Sequence, residues 1–215
     1  MEIIRFAELR SEPWRNGGGV TRELASHPKA ASAQDGAWDW RVSIADLTKA
    51  GDFSAFPGME RVLTVVDGEL LLLTVDGAEH PLEKYRPFRF SGDAAAHGAL
   101  PTGDIRNLNV ITRAGSFKGF TSIIELSKKR AHPVFEGQIA VLLQGQASVS
   151  AGDAMAAPAD EGASADEGAT GDAATTPSEP EALNRYDAVV GSDTRSPEVL
   201  GRGFLAVVSI DRVAG

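Results

Sequence analysis

The sequence predicts an all-β protein in which one chain closes two small barrels. Three observations carry that prediction. Short apolar runs separated by Gly-containing turns occupy nearly the whole chain outside one low-complexity stretch. No segment shows the three-and-four spacing of a long amphipathic helix. One strand–turn–strand pattern also occurs twice, as a duplicated unit would.

Taken in order, Phe6-Ala7-Glu8-Leu9 supports at most a turn or two of helix. Trp40-Arg41-Val42-Ser43-Ile44 then alternates with the strand period. Residues 62–66 and 70–75 are apolar runs on either side of Asp67-Gly68-Glu69, a hairpin signal, and Asp76-Gly77 marks the next turn. Residues 108–112, 121–126, 139–143, 147–150 and 204–210 read as further strands. From 151 to 182 the chain is, apart from Met155, Ala, Gly, Asp, Glu, Ser, Thr and Pro, with almost nothing to bury. Such a stretch cannot recover the entropy of ordering and is read as a disordered surface insertion.

The repeat begins with Val62-Leu63-Thr64-Val65-Val66-Asp67-Gly68-Glu69-Leu70-Leu71, echoed by Ile139-Ala140-Val141-Leu142-Leu143-Gln144-Gly145-Gln146-Ala147-Ser148. Leu82-Glu83-Lys84-Tyr85-Arg86-Pro87-Phe88 is echoed by Leu183-Asn184-Arg185-Tyr186-Asp187-Ala188-Val189. Gly68 precedes Tyr85 by 17 residues and Gly145 precedes Tyr186 by 41; the excess falls where the insertion lies. The domains follow: residues 1–125 for the first barrel, and 126–215 for a second, completed with the N-terminal region and interrupted at 151–182.

Composition removes several classes of function. The absence of cysteine excludes disulfides, thiolate metal sites and a thiol nucleophile. No apolar run is long enough to span a membrane, and the N-terminus lacks the plan of a secretion signal, so the expected compartment is the cytoplasm. The formal charge of -9 is concentrated in the insertion, which carries eight acids and no base. The remainder holds 22 acids against 21 bases and offers no basic face for nucleic acid.

A strand, a Gly turn, a strand and then Leu-x-x-Tyr resembles a cupin half-barrel, and two copies give a bicupin whose interior can hold one small ligand. Metal-binding cupins place a His-x-His pair and a Glu on alternate inward positions, with the Glu seven residues before the turn glycine. Here that position holds Arg61 in the first repeat and Gln138 in the second. No imidazole precedes Arg61 nearby, and His27, His80, His97 and His132 are scattered singly. A metal-free bicupin without cofactor is expected. Arg61 either points outward, meets a carboxylate of the protein, or faces the interior to bind an anion.

Five stretches together resemble the HutD/Ves family, named for a protein of bacterial histidine-utilisation operons. They are Trp14-Arg15-Asn16-Gly17-Gly18-Gly19-Val20-Thr21-Arg22-Glu23, Trp40-Arg41-Val42-Ser43-Ile44-Ala45, Gly51-Asp52-Phe53-Ser54-Ala55-Phe56-Pro57-Gly58 running into Arg61, Pro87-Phe88-Arg89-Phe90-Ser91-Gly92-Asp93, and Asn107-Leu108-Asn109-Val110-Ile111-Thr112-Arg113. They span residues 1–125. The resemblance implies a metal-free bicupin, a homodimer, acting as a cytoplasmic regulatory or sensor protein that limits histidine catabolism. The implied ligand is a small anionic metabolite, urocanate or a formylated glutamate derivative. The family usually has Asp where this chain has Asn107; if that acid neutralises a pocket arginine, the pocket here is more positive or differently hydrogen-bonded.

Those motifs yield a candidate ligand-binding set of Arg61, Asn16, Arg41, Ser43, Asn109 and Trp14, with no catalytic residue and no metal ligand. Asn16-Gly17-Gly18-Gly19 lacks the Lys-Ser/Thr of a phosphate-binding loop, and its glycines instead permit close backbone approach. Asn16 can address a ligand edge or cap a turn. Arg41 and Ser43 share one strand face, either solvent or pocket wall, and the resemblance favours the wall. Trp14, Phe53 and Phe56 serve as core or rim packing, or as a stacking platform. The alternative function is a metal-independent cupin isomerase or hydrolase on a related metabolite, with Glu23, Glu60 or Asp104 as general base.

Overall fold

A computed structural model of the chain describes residues 1–14, 16–28, 38–152 and 179–214. Strands β1 (Glu2–Ile4), β2 (Glu12–Pro13), β3 (Gly19–His27), β4 (Trp40–Leu47), β5 (Gly51–Asp52), β6 (Met59–Asp67), β7 (Leu70–Val75), β8 (Ala78–Glu83) and β9 (Phe88–Ser91) come first. They are followed by β10 (Ala96–Ala99), β11 (Ile105–Arg113), β12 (Phe117–Leu126), β13 (His132–Pro133), β14 (Gln138–Ala151), β15 (Glu181–Leu183), β16 (Ala188–Val190) and β17 (Pro197–Arg212). Among the described residues the only helix is a single 3-10 turn, Phe6–Glu8, and no helix is long and apolar enough to cross a membrane.

The strands form three sheets. A six-stranded sheet runs β2-β3-β4-β11-β6-β9, and a four-stranded sheet runs β5-β10-β7-β8. A seven-stranded sheet follows β1-β16-β14-β17-β12, with β13 added on β17 and β15 on β14. The period of two along each strand decides which core each side chain enters. On β4, Ala45 and Leu47 join Leu63, Val65, Leu71 and Leu73 between the six- and four-stranded sheets. Val42 and Ile44 point the opposite way, and with Val62, Leu108 and Val110 they pack against Ile139, Val141, Ala206 and Val208 of the seven-stranded sheet. That sheet curls around a third core of Val134, Leu142, Val149, Val189, Val199 and Leu205.

The repeat is visible in the pairing. β6 bonds β9 before the Gly68 corner, and β7 bonds β8 beyond it. In the same way the first half of β14 bonds β16, and the half beyond Gly145 bonds β15. The backbone N–H of Tyr85 donates to Val65 and that of Tyr186 to Leu142, each acceptor three residues before its glycine. Both tyrosines have positive φ, 67° and 71°. Their hydroxyls cross over: Tyr85 donates to Gln144 and Tyr186 to Asp67, each the residue just before the other repeat's glycine.

Several expectations need correction. Asp67-Gly68-Glu69 is not a hairpin turn, because β6 and β7 lie in different sheets; it is a corner where the chain changes sheet. Residues 139–143 and 147–150 belong to one strand, β14, bent at Gly145 where φ is 99° and a Cβ would stand 2.0 Å from the carbonyl oxygen of Arg202. β12, expected within the first barrel, pairs along its whole length with β17. It lies at the seam, where a Cβ on Gly119 would strike Val110 of the six-stranded sheet at 2.7 Å. The N-terminal β1 pairs with β16 in the seven-stranded sheet. Of the insertion, residues 153–178 lie outside the described residues; Glu181 and Ala182 form β15 because β14 offers them an edge.

Candidate functional site

The inner face of the six-stranded sheet, with β5 and the residues after it, lines a half-open cavity of about 390 Å³, a size typical of small-molecule sites. Its wall is built by register. Ile111 pairs with Arg41 on one side and Arg61 on the other; Asn109 pairs with Ser43 and Leu63, and Asn107 with Ala45 and Val65. Each row places three side chains on the same face, so polarity falls along the barrel from the two arginines, through Asn109 and Ser43, to the apolar rows of Leu47 and Ile105. Trp14, Asn16, Thr21, Phe53, Ser54 and Phe56 close the remaining sides.

All six residues of the candidate set, Arg61, Asn16, Arg41, Ser43, Asn109 and Trp14, line this one cavity. Alternation along β4 puts Arg41 and Ser43 inside, not in solvent. Arg61 is 3% exposed. One guanidinium nitrogen donates to the carbonyl oxygen of Ser54 at 3.2 Å, and Nε has no partner. Its carbon lies 4.9–5.4 Å from the ring centres of Phe53, Phe56 and Phe90. No carboxylate among the described residues forms an ion pair with Arg61 or with Arg41. Burial, reinforced by the positive charge of Arg41, pushes Arg61 down to about 10. Burial also lowers Arg41, against the opposing pull of Glu23 and Glu12.

The smaller groups divide their roles. Asn16 accepts a hydrogen bond from Gly18 N at 2.9 Å, so it caps its own turn while bordering the cavity. Gly19 brings the strand in close: a Cβ there would stand 2.4 Å from the carbonyl oxygen of Asp46. Trp14 Nε1 donates to Thr21 Oγ1 at 2.8 Å, which leaves its ring, edge-on to Phe53, as the surface it offers. Asn107 Nδ2, Asn109 Oδ1 and Arg41 Nε are buried without a partner.

Sequence reasoning missed Glu12 and Asp52, the two carboxylates lining the cavity. Asp52 is bonded to His97 Nδ1 at 2.7 Å. Of the candidate bases, Glu23 accepts from Ser26, Glu60 pairs with Arg89, and Asp104 borders a separate hollow with Asp46, Asp67 and Arg106; none lines the arginine cavity. Asp46 there is held by Arg22 and Arg106, and Asp67 by Arg185 at 3.0 Å. Burial works against the Asp67 carboxylate, but Arg185 and Lys84 hold it below the usual range. The four histidines stand apart, His27 on Trp40 and His80 on Phe88. Among the described residues no group of three or more His, Cys, Asp or Glu is placed to hold a metal.

The HutD family profile matches residues 6–205. Protein Ves of Citrobacter koseri is 38% identical over 115 residues, 53% of this chain and 58% of Ves. The chain spans less than two thirds of the length of the curated relatives it matches. Among solved structures, HutD from Pseudomonas fluorescens SBW25, in a formate condition, superposes with a TM-score of 0.71 at 25% identity, covering 99% of both chains. A cupin 2 conserved barrel domain protein from Leptotrichia buccalis gives a TM-score of 0.57 at 8% identity, covering 98% of this chain and 96% of its own, a likeness of fold.

Proposed function

Because the chain belongs to the HutD family, we propose that it is a bicupin sensor of the HutD/Ves type, whose first barrel binds a small anionic metabolite without a metal. The observation that carries this reading is Arg61, 3% exposed and unpaired by any described carboxylate. A guanidinium moved out of water without a counter-charge costs several kcal/mol, and an anion entering the cavity repays part of that cost. Arg41, two strands away across Ile111, adds a second positive group. The two guanidiniums, three amides and hydroxyl groups of the wall offer donors suited to a carboxylate, with the carboxylates of Glu12 and Asp52 also in the lining.

Urocanate and formylated glutamate derivatives are the candidate ligands, and the proposed role is to limit histidine catabolism. For binding to act as a signal, the ligand must favour one of two states by its differential affinity. A thermal-shift titration with urocanate, formylglutamate and formate tests the reading on the wild type and Arg61→Met. At a hundredfold excess over Kd, a true ligand adds about 2.7 kcal/mol of stability. At least one of the three is expected to do so with the wild type and none with the variant; identical shifts in both would remove Arg61 from the site.

Glu12 and Asp52 in the cavity wall sustain one other reading, a metal-independent isomerase or hydrolase. Incubating the purified protein with the same acids and following them by NMR separates the two, since a sensor returns them unchanged.

A further inference from the structure

The cavity wall specifies more than a negative charge. Asn107 and Asn109 stand two residues apart on β11 and project from the same face. They are 1% and 8% exposed. The donor Nδ2 of Asn107 and the acceptor Oδ1 of Asn109 both lack partners, as do the donors Arg41 Nε and Arg61 Nε. A carboxylate only accepts, so it can answer the guanidiniums and the Asn107 amide but never the Asn109 oxygen. The missing element is a group that donates as well as accepts. The charged residues lining the cavity besides the arginines are Glu12 and Asp52, both at its exposed rim, which balance the two arginines in formal charge and leave the buried Arg61 to answer one negative charge.

We propose that the cavity selects a small acid with a single negative charge and, beside its carboxylate, a hydroxyl or amide able to donate and accept. This rests on reading the cavity as an anion site; it adds the donor and the limit of one charge, and so ranks monoanionic acids above the dicarboxylate formylglutamate. The rings of Trp14, Phe53 and Phe56 supply an apolar wall for the rest of the molecule.

Calorimetric titration of the full chain with hydrocinnamate, phenyllactate and benzylsuccinate tests it. The three share an aromatic tail, and the second and third add to the first one hydroxyl or one carboxymethyl group. Phenyllactate is expected to bind about tenfold more tightly than hydrocinnamate, the worth of one buried hydrogen bond, and benzylsuccinate more weakly than either. Asn109→Leu, which removes the acceptor at similar volume, should bring phenyllactate down to the affinity of hydrocinnamate; the wild-type series decides alone should that variant not fold. Equal affinity for the first two acids, or tightest binding by benzylsuccinate, overturns this inference and leaves the anion site standing. Failure of all three to bind overturns the anion site itself, and the inference with it.

Discussion

Replacing Arg61 by Met is expected to leave the ligand-free protein about as stable as before, an unusual outcome for so buried a side chain. The fall of Arg61 to about 10 corresponds to about 3 kcal/mol set against its charged form. Its three ring contacts at 4.9–5.4 Å are worth together about 2 kcal/mol. The single hydrogen bond to Ser54 at 3.2 Å adds about 1 kcal/mol. Met keeps the apolar stem while removing both the penalty and the contacts, so the net change is within about 1 kcal/mol of zero. Urea unfolding of the two proteins without ligand measures the difference through the midpoint at constant slope. An arginine neutralised inside the protein would behave differently: cutting out one member of a buried pair costs about 3–5 kcal/mol. A loss of that size in the variant would show that Arg61 already has its counter-charge, and the anion site would fall with it.

Two further outcomes follow from contacts at the seam. Asp187 is 1% exposed and accepts hydrogen bonds from Arg5 at 2.8 Å and from the backbone N–H groups of Phe6 and Asn184 at 3.0 Å. Asp187→Ala orphans those donors and is expected to cost about 3 kcal/mol, with hydrogen exchange at the Phe6 amide accelerating as β1 comes loose. Burial, together with the negative charge of Asp67, pushes the Tyr186 phenol up to about 12, above its usual value of about 10 when unfolded. The folded state thus holds that proton more tightly, so the stability it contributes is complete below about pH 10 and lost as pH rises toward about 12. Tyr186→Phe should flatten that part of the stability–pH curve; an equally steep alkaline loss would assign it to another group.

Much of the site was legible because the relevant strands are regular. Counting seven residues back from Gly68 finds Arg61, since β6 runs unbroken from Met59 to the corner. Alternation along β4 and β11 places Arg41, Ser43 and Asn109 on one face, and the same step of two would have added Asn107. Glu12 and Asp52 carry no such signal. They sit in strands of two residues, β2 and β5, too short for any period, and reach the cavity only through long-range pairing. β3 escaped a strand reading because it is bulged between Glu23 and Ala25, which breaks its alternation. The corner at Gly68 looked like a hairpin because both need a glycine with positive φ; only the choice of partner strands tells them apart.

Gln138, the counterpart of Arg61 in the second repeat, is already engaged: its amide donates to Ser209 at 3.2 Å and accepts from the Phe135 N–H at 3.0 Å. The apolar side chains behind it fill the curled sheet. The two repeats therefore differ in use, the first lining the arginine cavity and the second filled by its own side chains. On the proposed reading the Gln138 position offers no second arginine, so a sigmoidal response to the anion would point to coupling between copies of the chain.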